Sequence, residues 1–179
     1  MNLFEANIVF WIQENLRVSF FNPLVKAITT LGNGGAFWIV VAVLLLAFRK
    51  TRKAGLCCAL ALVLDLIVVN ITLKPLFDRI RPYDLLNSIA PLIPPVHDAS
   101  FPSGHSAASF AGAWAFYRSM GKKWGRPLMI LAALIALSRL YVGVHYPTDV
   151  ICGAITGTVL AEIAVRIVFS TARKMKGRR

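Results

Sequence analysis

The sequence predicts an all-α integral membrane protein: a bundle of six transmembrane helices, preceded by a helix lying at the membrane interface. Three features lead there. Of the 179 residues, 57% are hydrophobic and 16% charged, against about 25% charged in soluble domains. Residues 54–73 (AGLCCALALVLDLIVVNITL) and 150–169 (VICGAITGTVLAEIAVRIVF) each reach the ~20 apolar residues needed to cross a bilayer. The basic residues are also clustered. Thirteen of the twenty lysines and arginines sit in RKTRK at 49–53, RSMGKKWGR at 118–126 and RKMKGRR at 173–179, each following or linking apolar runs.

From the N-terminus, MNLFEANIVFWIQENLR carries Glu5 and Glu14 and lacks the basic start and small-residue cleavage site of a secretory signal. Phe4, Ile8 and Trp11 recur at helical spacing, which suits a helix resting on the membrane surface. Six membrane segments follow, at 20–33, 35–48, 54–74, 104–118, 127–142 and 148–170. The first is short, and the glycines of LGNGG predict a tight turn into the second. The one long connection, 75–103, has prolines at 75, 82, 91, 94, 95 and 102. A loop of that length in a compact domain is usually functional or disordered. No repeat or linker divides the chain, and its length suits a single domain over 1–179.

A net charge of +12 suggests a nucleic-acid binder at first sight. The basic clusters instead flank apolar runs, as the positive-inside rule describes, and no basic surface interleaved with aromatics appears. No nucleic-acid partner is expected. Cys57, Cys58 and Cys152 lie within apolar runs, with neither disulfide nor metal-ligand spacing. With RKTRK cytoplasmic, the 54–74 run carries the chain outward, 104–118 returns it, 127–142 goes out and 148–170 comes back. Every basic cluster then falls on the cytoplasmic face of the cell membrane, with both termini, and every unusual polar motif on the outer face.

Those motifs are KPLFDRIRP at 74–82, FPSGHS at 101–106 and SRLYVGVHYPTD at 138–149. Lys74, Arg81 and Arg139 stand on the outer face, where topology does not call for them. Snorkelling of long basic side chains explains such residues singly, but not their company of PSGH and a His–Asp pair. Guanidinium forks bind two phosphate oxygens at once, and a lysine adds a point charge. Pro102-Ser103-Gly104-His105 opens a helix whose free N–H groups and dipole favour an oxyanion, and Gly104 lets that backbone come close. Two of the three histidines, His105 and His145, fall in these motifs. Asp149 can accept the ring N–H of His145 and fix its tautomer, leaving the other nitrogen to attack phosphorus. His105 is then available to protonate the leaving oxygen. No group of carboxylates and histidines has metal-binding spacing, so three fixed cations take the place of a metal or other cofactor.

Lys74-x6-Arg81-Pro82, Pro102-Ser103-Gly104-His105 and Ser138-Arg139-x5-His145-x3-Asp149 together resemble the three signature motifs of the type 2 phosphatidic acid phosphatase superfamily. That superfamily includes bacterial lipid phosphatases, undecaprenyl diphosphate phosphatases and vanadium haloperoxidases. The resemblance covers residues 74–149 in order and spacing. It implies a six-helix bundle with its site near the outer surface. It also implies Lys74, Arg81, Ser103, Gly104 and Arg139 as phosphate contacts, His145 as nucleophile, His105 as acid and Asp149 as orienting group. Asp78 and Arg79 lie in the variable part of the first motif and inherit no role.

The implied substrate is a lipid phosphate or diphosphate taken from the surrounding membrane lipid, with undecaprenyl diphosphate ahead of phosphatidylglycerol phosphate and phosphatidic acid. Two other classes remain open, a haloperoxidase built on the same pocket and an anion or lipid transporter. Asp65 and Glu162, both within apolar runs, are expected to be structural, held by neighbours such as Asn70, Ser109, Thr156, Thr158 and Arg166.

Overall fold

The computed structural model describes residues 3–176; Met1, Asn2 and the last three residues of the 173–179 basic cluster lie outside it. Among the described residues there is no strand. Helices α1 (Leu3–Leu16), α2 (Asn22–Leu31) and α3 (Ala36–Ala47) lead into α4 (Arg52–Asp65). The last runs on through a π-helical stretch, Leu66–Leu73, into α5 (Lys74–Phe77). After the short α6 (Pro82–Leu85) come α7 (Gly104–Met120), α8 (Lys122–Tyr141) and α9 (Pro147–Lys176).

An apolar run such as AFWIVVAVLLLA in α3 is compatible with lipid only as a helix, which satisfies its own backbone N–H and C=O groups. Arg52–Leu85 and Pro147–Lys174 are each long and apolar enough to cross a membrane. Large apolar side chains such as Val43, Ile71, Ile130, Ile151 and Val159 point outward. The interior is built from small residues instead. Helix α7 is central, packed against α3, α4, α8 and α9, and it buries Ala107, Ala108, Ala111, Gly112, Ala113 and Ala115. Small faces let backbones approach where association depends on close packing rather than on hydrophobicity.

The expected tight turn at LGNGG is instead a bend. Helices α2 and α3 meet at 49° and together pass as one broken span. Tyr141 Oη donates to Asn22 Oδ1, and Arg139 Nη1 donates to Thr29 Oγ1, so α2 enters beside the C-terminal end of α8 and descends along it. Helix α3 continues downward, with Gly35 beside Ala108, Trp38 against Gly112, and Leu46 against Gly55. Gly34 and Gly35 hold φ of 56° and 68°, left-handed values that glycine adopts without strain, so the chain kinks there instead of reversing.

The N-terminal helix is tied to the site end of the bundle. Glu5 binds Arg79 and Thr148, and Arg17 donates to the carbonyls of Ala90 and Tyr141. Helix α1 therefore lies across the end of the bundle where α9 begins. From there α9 runs 30 residues away, about 45 Å at helical rise. The start of α1 and the far end of α9 thus occupy opposite ends of the bundle. The bend at LGNGG is the reason, since it removes one reversal of direction.

Helices α7 and α9 pack closely where α9 carries Gly153 and Gly157. A Cβ on Gly153 would stand 2.6 Å from Ser103 O, and one on Gly157 2.1 Å from Ala107 O. On α7, Gly104 faces Asn70 and Lys74, and Gly112 faces Trp38. Around Gly153 and Gly157, α9 meets Ser103, Ser106 and Ala107.

Candidate active site

Three cations converge at one end of the bundle. Lys74 emerges from the π-helical stretch, where a π-bulge commonly marks a functional position. Arg81 precedes Pro82 in an extended conformation, and Arg139 lies in the last turn of α8. Lys74 is 7% exposed, and both arginines are 2% exposed. Arg81 donates to Val144 O at 2.7 Å, to Asp98 O at 2.9 Å and to Asp98 Oδ1 at 2.6 Å. Arg139 donates to Thr29 Oγ1 at 2.6 Å, while its Nε has no acceptor among the described residues. Burying a charge is costly unless it is paired, and among the described residues Asp98 alone forms salt bridges to Lys74 and Arg81. Burial on its own raises the Asp98 carboxyl. Hydrogen bonds and charge from Lys74 and Arg81 overcome that and hold it below the usual range. This end of the molecule is built for an anion.

His145 sits in the short connection between α8 and α9, 2% exposed. Its Nδ1 lies 3.4 Å from Asp149 Oδ2 and 3.4 Å from Ser100 Oγ, and its Nε2 lies 3.5 Å from Arg81 Nη1. Asp149 is fully buried in the first turn of α9. Its Oδ2 also accepts from Ser100 Oγ at 2.5 Å and from the Tyr146 N–H at 2.9 Å. An ionised carboxylate only accepts, so the proton of a neutral imidazole belongs on Nδ1, and Nε2 carries the free lone pair. Burial, reinforced by Arg139 and Arg81 and opposed by the Asp149 bond, takes His145 down to about 4. His105, in the first turn of α7, places Nε2 2.9 Å from Asn33 Oδ1. A Cβ on Gly32 would stand 2.6 Å from His105 Cδ2, so the bend between α2 and α3 lets backbone lie directly on that ring.

A cavity of about 890 Å³ joins these groups. Lys74, Arg81, Gly104, His105, Arg139 and His145 line it, whereas Ser103 and Asp149 stand behind the wall. Ser103 is fully buried and caps α7, accepting from the Ser106 N–H at 3.4 Å. Of the eight site residues read from sequence, six thus face one space and two support it. Away from the cations the cavity continues between α3 and α4, past Ile39, Val43, Leu62, Val63 and Leu66. Ile39, Val43, Val63 and Leu66 are exposed.

Glu162 is held as expected, by Arg166 at 3.0 Å, with Arg118 at 3.4 Å and the Trp114 N–H at 3.2 Å beside it. Asp65 is not. It lines the cavity, 2% exposed, and its Oδ1 has no partner among the described residues. Ser109 takes the Trp38 N–H, and Thr158 donates to Ala154 O within its own helix.

Asp98, Thr29, Asn33, Ser100, Arg79 and Glu5 join the site from outside the three motifs or from the variable part of the first. Asp98 and Ser100 lie in the proline-rich loop, whose length was the only signal. Thr29 precedes the glycine-rich bend and Asn33 lies within it.

A family model described as the PAP2 superfamily matches residues 54–173. The chain is 36% identical over 131 residues to an undecaprenyl-diphosphatase of Sulfolobus acidocaldarius. That match covers 73% of this chain and 63% of the relative, less than two thirds of the relative's length. The crystal structure of LpxE from Aquifex aeolicus superposes with a TM-score of 0.78 at 31% identity, over 91% of this chain and 95% of that one. A transmembrane PAP2-type phosphatidylglycerolphosphate phosphatase of Bacillus subtilis gives 0.70 at 27% identity, over 97% and 87%. With three intact motifs, a matching fold and a family match over more than half its length, this membrane protein belongs to the PAP2 superfamily.

Proposed function

We propose that this protein is a membrane hydrolase that cleaves a lipid phosphate or diphosphate through a phosphohistidine, with undecaprenyl diphosphate as the leading substrate. One observation carries the reading. The cavity is continuous from a wall of three buried cations and two histidines into an apolar groove between α3 and α4. A phosphate head and a hydrocarbon tail fit such a space together, and a free inorganic anion needs only half of it. The undecaprenyl-diphosphatase name of the Sulfolobus relative supports the choice of lipid.

In this reading Lys74, Arg81 and Arg139 take the phosphate oxygens, and the N–H groups opening α7 at Gly104 assist them. Ser103 supports that turn. The Asp98 carboxylate marks where two of those oxygens sit. Nε2 of His145 attacks phosphorus and the P–O bond to the leaving group breaks, with His105 giving its proton to the leaving oxygen. Water then attacks the phosphohistidine, His105 recovers a proton from it, and the P–N bond breaks to release phosphate. Fixed cations in a site shielded from water stabilise the developing charge without a metal. The test is phosphate release by the purified chain from undecaprenyl diphosphate, phosphatidylglycerol phosphate and phosphatidic acid. Undecaprenyl diphosphate should be turned over fastest, and EDTA should leave the rate unchanged. Inactivation by EDTA with recovery on adding a divalent metal would refute the metal-free mechanism. Faster release from another lipid would reassign the substrate.

For the membrane we propose one domain over 1–179 with five crossings, α2 and α3 forming a single broken one. The site faces outward and α1 rests on the outer surface, with Phe4 and Trp11 exposed. The basic clusters at 49–53 and 118–126 then face the cytoplasm, as the positive-inside rule asks. In a chain stripped of its native cysteines, Asn87→Cys should react with an impermeant thiol reagent on intact cells, and Lys122→Cys only after lysis. The opposite pattern would place the site in the cytoplasm.

A further inference from the structure

The contacts behind His145 do not end at Asp149. While Asp149 Oδ2 faces the imidazole, Oδ1 accepts from Arg79 Nη1 at 2.6 Å. The same guanidinium donates to Glu5 Oε2 at 2.5 Å and to Thr148 Oγ1 at 2.8 Å, and it lies 4.0 Å over the Tyr146 ring. Glu5 is 5% exposed and also accepts from the N–H and hydroxyl of Thr148, each at 3.0 Å. Tyr146, Thr148 and Asp149, the residues that follow the histidine, are thereby tied to one arginine and one glutamate. Arg79 lies in the variable part of the first motif, and Glu5 precedes the family-matched stretch 54–173 altogether.

We infer that Arg79 and Glu5 are positioning residues of the active site: Arg79 anchors Asp149 so that Oδ2 stays turned to His145, and Glu5 holds Arg79 in place. Helix α1 is then a working part of the catalytic end. The inference rests on the nucleophilic role proposed for His145. A fully buried carboxylate needs a compensating charge, and a carboxylate fixed at one oxygen cannot rotate the other away. The planar guanidinium fork reaches two carboxylates at once, which a lysine ammonium does with less geometric control.

The arrangement has a signature in pH. His145 is faced by Arg81 and Arg139 across the cavity, by His105 from α7 and by Asp149 from α9. Arg79 and Glu5 act on it through Asp149. Removing the Arg79 charge strengthens the pull of Asp149 on a proton at His145, so the imidazole protonates at higher pH. Removing the Glu5 charge leaves Arg79 balanced by Asp149 alone and works the other way.

The experiment uses the purified full chain with undecaprenyl diphosphate and, in parallel, phosphatidic acid. Wild type and His145→Ala come first, and absence of His145-dependent phosphate release from both lipids would refute the function itself. Given that release, Arg79→Met should lower kcat about a hundredfold with KM changed less than about twofold, because Arg79 does not line the cavity. The acid limb of kcat/KM should rise by about one pH unit. Arg79→Lys should recover part of the rate. Glu5→Gln should lower kcat less, move the acid limb down, and add little in the Arg79→Met background. A folded Arg79→Met with near-wild-type kcat, or two variants whose acid limbs fail to move in opposite directions, would overturn the inference. Should Arg79→Met not fold, the isosteric Glu5→Gln decides alone, and an unmoved acid limb there overturns it.

Discussion

His145→Ala should abolish phosphate release, a loss on the order of 10⁴-fold or more, the scale seen when a catalytic nucleophile is deleted. The variant should still fold and insert, because the imidazole makes only long contacts, 3.4–3.5 Å, to its neighbours. Asp149→Asn should cost less but still heavily, since it exchanges an acceptor of several bonds for a group that also donates. His105→Ala should lose about 10²–10⁴-fold on lipid substrates, the range of general acid catalysis. It should lose much less on p-nitrophenyl phosphate, whose leaving group needs no proton. Attack requires neutral His145, which burial holds near 4 instead of the ordinary 6.5. Wild-type kcat/KM should therefore persist as pH falls through 6.5 and drop only as it approaches about 4. A His145→Ala protein that still turns over lipid at an appreciable rate would remove the phosphohistidine from the mechanism.

Gly157→Leu should cost about a hundredfold in turnover while the protein still purifies as a folded membrane protein. The cause is a backbone contact. A Cβ at this position would stand 2.1 Å from Ala107 O and 2.9 Å from Ala107 C, atoms that cannot rotate aside. Helix α9 must move away from α7 by about 1 Å, and displacement on that scale costs about 10²-fold in a positioned reaction. Helix α9 carries Asp149, which orients His145, and α7 carries His105, so the two histidines lose their alignment. Gly157→Ala already introduces the clashing atom and should show most of the loss. Val159→Leu, on the outward face at 52% exposure, should show none. Wild-type turnover in folded Gly157→Leu would mean that the α7–α9 spacing does not set the active geometry.

Among the site residues, those of the three motifs were legible in the sequence because each motif is local. Ser103 caps the helix it opens, Pro147 and Asp149 begin α9, and Gly104 stands where backbone must approach Asn70 and Lys74. The supporting residues were not legible. Thr29 meets Arg139 across 110 positions and Glu5 meets Arg79 across 74, and no periodicity or spacing rule reaches so far. Asp98 is an ordinary loop aspartate until the chain returns it to Lys74 and Arg81.

Local sequence carries the apolar helices, the order and spacing of the motifs, and the residue types of the candidate site. Apolar runs, helix caps and cation clusters act over a few residues and declare themselves in composition. Packing across the fold sets the bend at LGNGG, the course of α1 across the site end of the bundle, and the contact of α9 with Ser103, Ser106 and Ala107. It also decided that the cation wall opens into a groove between α3 and α4. Glycine permits a bend and a reversal equally well, and a small residue suits any close neighbour. Which of these is realised depends on the partner helix, and packing alone supplies it.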